Sequence, residues 1–331
     1  MILYNRIPIS LGLLLLFLVA CRGGAQVTAT AVPSITPTAV LPTATAVPPT
    51  TTVTTTPALP LSFDGDSAFL FLKAQTDIGP RWPGSPGHAE VRDYISDTLA
   101  EMGWAVEQQT FDYQGFAAMN IIAKANEGQG DIIILGAHYD TRRLADQTPG
   151  AVEAELPVLG AVDGASGVAV LLELARTLDL EEVPRELWLA FFDVEDNGSG
   201  GLPGWDWIAG STYMAANLTV QPEAVVIVDM IGDADQQLYY EGNSHPGLRE
   251  TLWQIADDLG YSDVFVPQVK YTMIDDHLPF AWEGIPAVDI IDFDYPYWHT
   301  VEDSADKASP VSLLRVGHTL EAWLEEHLDS E

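Results

Sequence analysis

Residues able to bind a metal or move a proton stand at the ends of apolar runs in this chain. His138-Tyr139-Asp140 follows IIILGA, Asp193-Val194-Glu195-Asp196 follows ELWLAFF, and Asp229 follows AVVIV. Asp163 lies just before the ASG segment that opens at Ala165, and His299 lies within YWHT. Mixed imidazole and carboxylate donors of this kind suit Zn²⁺ with one position left open for water or substrate. The neighbouring Glu195 and Asp196 are informative, because adjacent side chains at a strand end point in opposite directions. A turn there can aim Asp196 at a cation and leave Glu195 as a general acid or base. In His138-x-Asp140 the carboxylate is placed to hold the imidazole in one tautomer. A single histidine after a strand is more often structural, and an acidic pair is more often a solvated turn. The ordered set carries the argument.

An alternation of strands and helices must bring these residues together. The apolar runs 131–137, 186–193, 224–230 and 287–291 read as strands buried on both faces. Residues 104–113 and 118–125 alternate like half-buried strands. Helices are expected at 64–75, 87–102, 162–178, 209–217, 246–259 and 310–328, with a Pro/Gly loop, IGPRWPGSPG, at 78–87. The pattern predicts an α/β sandwich: a central mixed, mostly parallel sheet flanked by helices in three layers. In such sheets, sites gather at the carboxyl ends of the strands.

Composition narrows the function classes. The chain has 331 residues, 48 acidic against 14 basic, and a net charge of −34. Phosphate contacts need clustered Lys and Arg, so nucleic acid is excluded as a partner. A single cysteine, Cys21, excludes a disulfide scaffold. Residues 1–20 read as a signal peptide, with Arg6 before an apolar run that is too short to span a bilayer. LVAC (Leu18 to Cys21) resembles a bacterial lipobox, which implies cleavage before Cys21 and lipidation of its thiol. Residues 21–61 are rich in Thr and Pro and read as a flexible tether. The catalytic domain is expected over 62–331. The protein is thus expected outside the cytoplasm as a bacterial cell-surface lipoprotein, touching the membrane only through its lipid.

The order HYD, DGASGVAVLLELAR, FFDVED, VDMIGD and WHT resembles the zinc aminopeptidase superfamily with co-catalytic metals, which includes the glutaminyl cyclases. The resemblance runs from about Leu70 to the C-terminus. It implies metal ligands at His138, Asp163, Asp196, Asp229 and His299, with Asp163 bridging two metals in aminopeptidases. It implies a proton shuttle at Glu195. Three features are similar to the cyclase branch. Trp298 precedes His299, DDHLPF (275–280) precedes EGIPAVDII, and GWDWIAGSTYMA follows the acidic pair. They imply a substrate pocket lined by Trp298 and Trp207, with Trp205 as the other candidate. They also imply that Asp275, with Asp229, joins the proton-transfer network of Glu195. Gly164 follows Asp163 where aminopeptidases carry Asn or Asp. Asp196 replaces the Glu of animal cyclases, and Asp289 stands where those carry His.

The resemblance therefore implies a glutaminyl-peptide cyclotransferase acting on peptide or protein N-termini. One Zn²⁺ would sit on Asp163, Asp196 and His299. The alternative is an aminopeptidase with two, the second on His138 and Asp229. A surface-anchored binding protein with a degenerate site is disfavoured, because no ligand position carries an apolar residue.

Overall fold

The structure is a computed structural model and describes residues 60–325. The expected signal peptide, Cys21 and nearly all of the tether lie outside the described residues, as does the end of the expected last helix. A six-stranded sheet forms the centre, in the order β1-β2-β4-β3-β5-β8. Its strands are β1 (Ala105–Tyr113), β2 (Phe116–Ala125), β3 (Ile132–His138), β4 (Glu186–Phe192), β5 (Ala224–Asp229) and β8 (Ala287–Ile291). β4, β3, β5 and β8 run parallel to one another, whereas β2 pairs antiparallel with both β4 and β1 at one edge. The mixed, mostly parallel sandwich expected from the sequence is the fold observed.

Two apolar faces explain the layers. Ile133, Leu135 and Ala137 of β3 point to one side, where they join Leu72 of α1 (Gly65–Ile78), Ile95 of α2 (Pro86–Glu101) and Leu171 of α3 (Ala165–Thr177). Leu252 of α5 (Pro246–Asp258) and Leu320 of α7 (Pro310–Leu324) complete that side. Ile134 points to the other, against Met214 of α4 (Ala209–Ala216) and Phe280 of α6 (Leu278–Trp282). Gly136 lies between them because a Cβ there would meet Ile227 Cδ1 and Phe192 Cε2 at 2.6 Å.

Helix starts follow local chemistry. Asp64 and Ser85 accept from the N–H groups of Ser67 and His88, capping the first two helices. Pro86, Pro246 and Pro310 each open a helix where no N–H is needed. The helix expected over 162–178 starts later, at Ala165, which leaves Asp163 on the preceding turn. A separate two-stranded parallel sheet, β6 (Leu238–Glu241) with β7 (Phe265–Tyr271), was not anticipated. β6 is short, and Pro267 breaks the strand signature of β7. Among the described residues no helix is long and apolar enough to cross a membrane.

Candidate active site

Parallel pairing sets the strand ends level. His138 pairs with Phe192, Gly136 with Ile227, and Asp229 with Ile291, so β3, β4, β5 and β8 deliver their last residues to one edge. There His138 Nε2 lies 3.1 Å from Asp229 Oδ1 and 3.2 Å from Asp163 Oδ1. His299 Nε2 lies 2.8 Å from Asp196 Oδ1 and 3.7 Å from Asp163 Oδ2. Asp163 thus stands between two donor groups, His138–Asp163–Asp229 and Asp163–Asp196–His299. The structure brings together all five ligand positions expected from the sequence.

Both groups fit a divalent metal. Within each, the donor atoms lie within 4.8 Å of one another. Asp163 Oδ2 and Asp196 Oδ2 are buried and accept no hydrogen bond, an arrangement that is costly unless a cation faces them. His138 Nδ1 lies 3.1 Å from the main-chain oxygen of Asp140, which can only accept. Nδ1–H therefore donates to that oxygen, and Nε2 faces Asp163 and Asp229, the position from which it could bind a metal. Burial alone would lower the pKa of His299, but the carboxylates of Asp196 and Asp146 push it up to about 9. The site attracts positive charge at both of its ends.

One local expectation is corrected. The carboxylate of Asp140 does not hold His138: it is 3.9 Å from Nδ1, and the main-chain oxygen does that work. The carboxylate instead accepts from Glu195 N (2.9 Å) and Asn197 Nδ2 (3.0 Å), shaping the acidic turn. The loops that carry the site are built on unusual backbone. Val194, Ile208, Met230 and His299 all have positive φ, between 48° and 55°. Each costs of the order of 1–3 kcal/mol for a residue with a side chain. Val194 separates Asp193 from Glu195 and swings the latter toward the cavity. Ile208 N–H then donates to Glu195 O at 3.2 Å.

Supporting residues were not legible individually. Arg142 is buried and donates to Asp196 O (2.9 Å), Gly198 O (2.8 Å) and Asp146 Oδ2 (2.6 Å). Asp146 in turn lies 3.3 Å from His299 Nδ1, behind the ring. This is the carboxylate–histidine arrangement that orients metal ligands. Asp303 accepts from the N–H groups of Val162 (2.9 Å) and Asp163 (3.2 Å) and from Tyr295 Oη (2.7 Å), fixing the Asp163 turn. Arg81, in the Pro/Gly loop, is wholly buried and donates to Tyr139 O (3.2 Å), Leu159 O (2.8 Å) and Gly160 O (2.6 Å).

Above the donors is a cavity of about 250 Å³, lined by Asp163, Glu195, Asp196, Asp229, Asp275 and His299 among others. Trp298 and Trp207 also line it, stacked near the His299 ring at centroid distances of 3.9 and 5.9 Å. Trp205 instead packs edge-on against Tyr113, at 5.2 Å, so Trp207 is the pocket residue of the two candidates. Burial, reinforced by Asp196, Asp276 and Asp275, pushes the Glu195 carboxyl well above its ordinary range. Asp275 is raised the same way, by burial and then by Asp229.

Behind Asp275 is a second acidic layer. His277 Nε2 lies 3.1 Å from Glu241 Oε2, and its Nδ1 lies 3.7 Å from Asp289 Oδ2. Glu241 accepts from Asn243 N (2.8 Å), Ser244 N (2.7 Å), Ser244 Oγ (2.9 Å) and Met273 N (2.9 Å). It thereby ties β6 to the 272–275 segment that walls the cavity. Gly164, at φ +94°, places a virtual Cβ 3.2 Å from His138 Cε1 and 3.0 Å from Asp140 O. A larger residue there would have to displace the histidine.

Comparison with known proteins agrees with this geometry. The profile of peptidase family M28 matches residues 120–324. A crystal structure of Porphyromonas gingivalis glutaminyl cyclase superposes with a TM-score of 0.77 at 34% identity, covering 81% of this chain and 100% of that one. A leucine aminopeptidase precursor from Bacteroides thetaiotaomicron superposes with a TM-score of 0.76 at 32% identity, covering 82% of this chain and 99% of its own. A glutaminyl-peptide cyclotransferase of Boiga irregularis is 28% identical over 304 residues, which span 77% of this chain and 80% of the relative. The chain belongs to peptidase family M28, on the branch that holds the bacterial glutaminyl cyclases.

Proposed function

We propose that the protein is a glutaminyl-peptide cyclotransferase, converting the N-terminal glutamine of peptides to pyroglutamate with release of ammonia. The observation that carries this reading is the cavity itself. Glu195 and Asp275 face the same small space as two tryptophans that flank a ligand-competent histidine. A Zn²⁺ ion held by Asp163, Asp196 and His299 would polarise the γ-amide carbonyl as a Lewis acid. Of the five donor positions, the two with a buried carboxylate oxygen lacking a hydrogen bond, Asp163 and Asp196, both belong to that group, which favours it as the working site.

The chain's own residues do the rest. Trp207 and Trp298 enclose the aliphatic part of the glutamine side chain and exclude water. The substrate's α-amine forms the new C–N bond to the amide carbon, and the bond from that carbon to the amide nitrogen breaks. Glu195 takes a proton from the attacking amine and returns it to the departing nitrogen, so water is not consumed. Burial and the neighbouring Asp196, Asp276 and Asp275 keep the proton affinity of the shuttle high, and Asp229 acts in the same way on Asp275.

The alternative is aminopeptidase hydrolysis, favoured by the completeness of the second donor group, His138–Asp163–Asp229. Matched peptides beginning with Gln and with Leu separate the two. Ammonia from the Gln peptide, with both chains otherwise intact, supports cyclisation; free leucine or glutamine refutes it. We also propose that the domain reaches its substrates from the outer face of a membrane, tethered by residues 21–61 to a lipid on Cys21. The support is the sequence pattern of the first 61 residues.

A further inference from the structure

A second and larger cavity, about 590 Å³, adjoins the reaction pocket and shares Trp207 and Ile274 with it. Its surface is aromatic. Phe111 and Tyr213 stack at 4.4 Å and 9°, forming one wall. Ile274 and Trp282, at the other side, are each 65% exposed. Large apolar side chains left in water beside an active site mark a surface that is covered during function. Nothing in the chemistry of Glu195 or the donor groups uses them.

We propose that this groove is an extended substrate site that takes an apolar side chain lying a few residues downstream of the N-terminal glutamine. The inference rests on the cyclotransferase reading and deepens it. The two cavities meet at Trp207 and Ile274, so a substrate whose first residue fills the reaction pocket and whose chain leaves across that rim enters the groove. An extended peptide advances about 3.3–3.6 Å per residue, so the following positions pass directly over the groove. Burying an aromatic or aliphatic side chain against Trp282 and Tyr213 adds binding where a Gly or Ala adds none. Asp112 and Asp206 also line the groove, so an acidic side chain is disfavoured there. The preferred substrates are peptides or proteins with a hydrophobic residue close behind the glutamine.

The test uses a set of Gln-Ala-Ala-Ala amides in which Phe, and separately Asp, is walked through positions two to four. At one or more positions, Phe raises kcat/KM by about fivefold or more, entering through KM, and Asp lowers it. Trp282→Ala removes the Phe gain and leaves the Gln-Ala-Ala-Ala amide unchanged, since Trp282 touches neither Glu195 nor the donor groups. The proposal is overturned if no position responds, or if the gain survives in Trp282→Ala. It is also overturned if that variant changes only the sedimentation of the protein, which would make the groove a contact between copies. Absence of ammonia release from every peptide would instead refute the cyclotransferase reading, a distinguishable result.

Discussion

Replacing Glu241 with glutamine isolates the load carried by the acidic layer behind the site. Glu241 is 1% exposed. Burial alone would raise its pKa, but His277 and the N–H groups of Asn243 and Met273 hold it down to about 2, against an ordinary 4.5. Because the folded pKa is depressed, the stabilisation is complete above pH 4.5 and is lost as pH falls toward 2. At 1.36 kcal/mol per unit, this difference corresponds to about 3 kcal/mol at neutral pH. Hydrogen bonding gives a similar figure. Glutamine keeps one oxygen, so its amide must face either Met273 N–H or the three donors from Asn243 and Ser244. One buried N–H then loses its acceptor, at about 1–3 kcal/mol, in addition to the lost charge. Glu241→Gln should therefore lower Tm by roughly 6–10 °C at pH 7. Calorimetry of both proteins from pH 7 down to pH 3 should show the two curves converging in acid. A difference below about 1 kcal/mol at pH 7, or one that does not shrink with pH, would refute the reasoning.

Glu195→Gln should cut turnover by about 10²–10⁴-fold while leaving bound zinc, measured by atomic absorption, unchanged. Retained turnover would remove Glu195 as the shuttle. Asp146→Asn should weaken zinc affinity by about 10–100-fold in a chelator competition, because it loosens the carboxylate behind His299; unchanged affinity would reduce that contact to packing. Trp298→Ala should raise KM for an N-terminal glutamine peptide more than it lowers kcat, as expected for a wall of the pocket. Equal KM values would return it to structural filler.

What the sequence revealed depended on the range of each signal. Strand runs such as IIILGA and AVVIV are local, and their ends fixed the positions of His138 and Asp229 before any three-dimensional information. His138, Asp196 and Asp229 were legible as donor types at or just past strand ends, whereas Asp163 and His299 lie on loops and were legible only as members of the ordered set. The role of Asp140 was misassigned, since two atoms of one residue could serve His138 and only geometry distinguishes the carbonyl from the carboxylate. Arg142 and Asp146 were invisible because their partners lie on the 196–199 turn and at His299, far along the chain. The β6–β7 pair was missed for a similar reason: a four-residue strand and a proline-containing one gain their stability from each other and from the 241–244 turn, not from local propensity.

The most direct measurement of the central claim is the mass spectrum of a peptide beginning Gln-Phe, incubated with the purified protein in ¹⁸O-labelled water. Cyclisation predicts a product lighter by one ammonia, with no label incorporated and the Phe still attached. Free glutamine, together with a shortened peptide, would contradict the account and make this protein a peptidase.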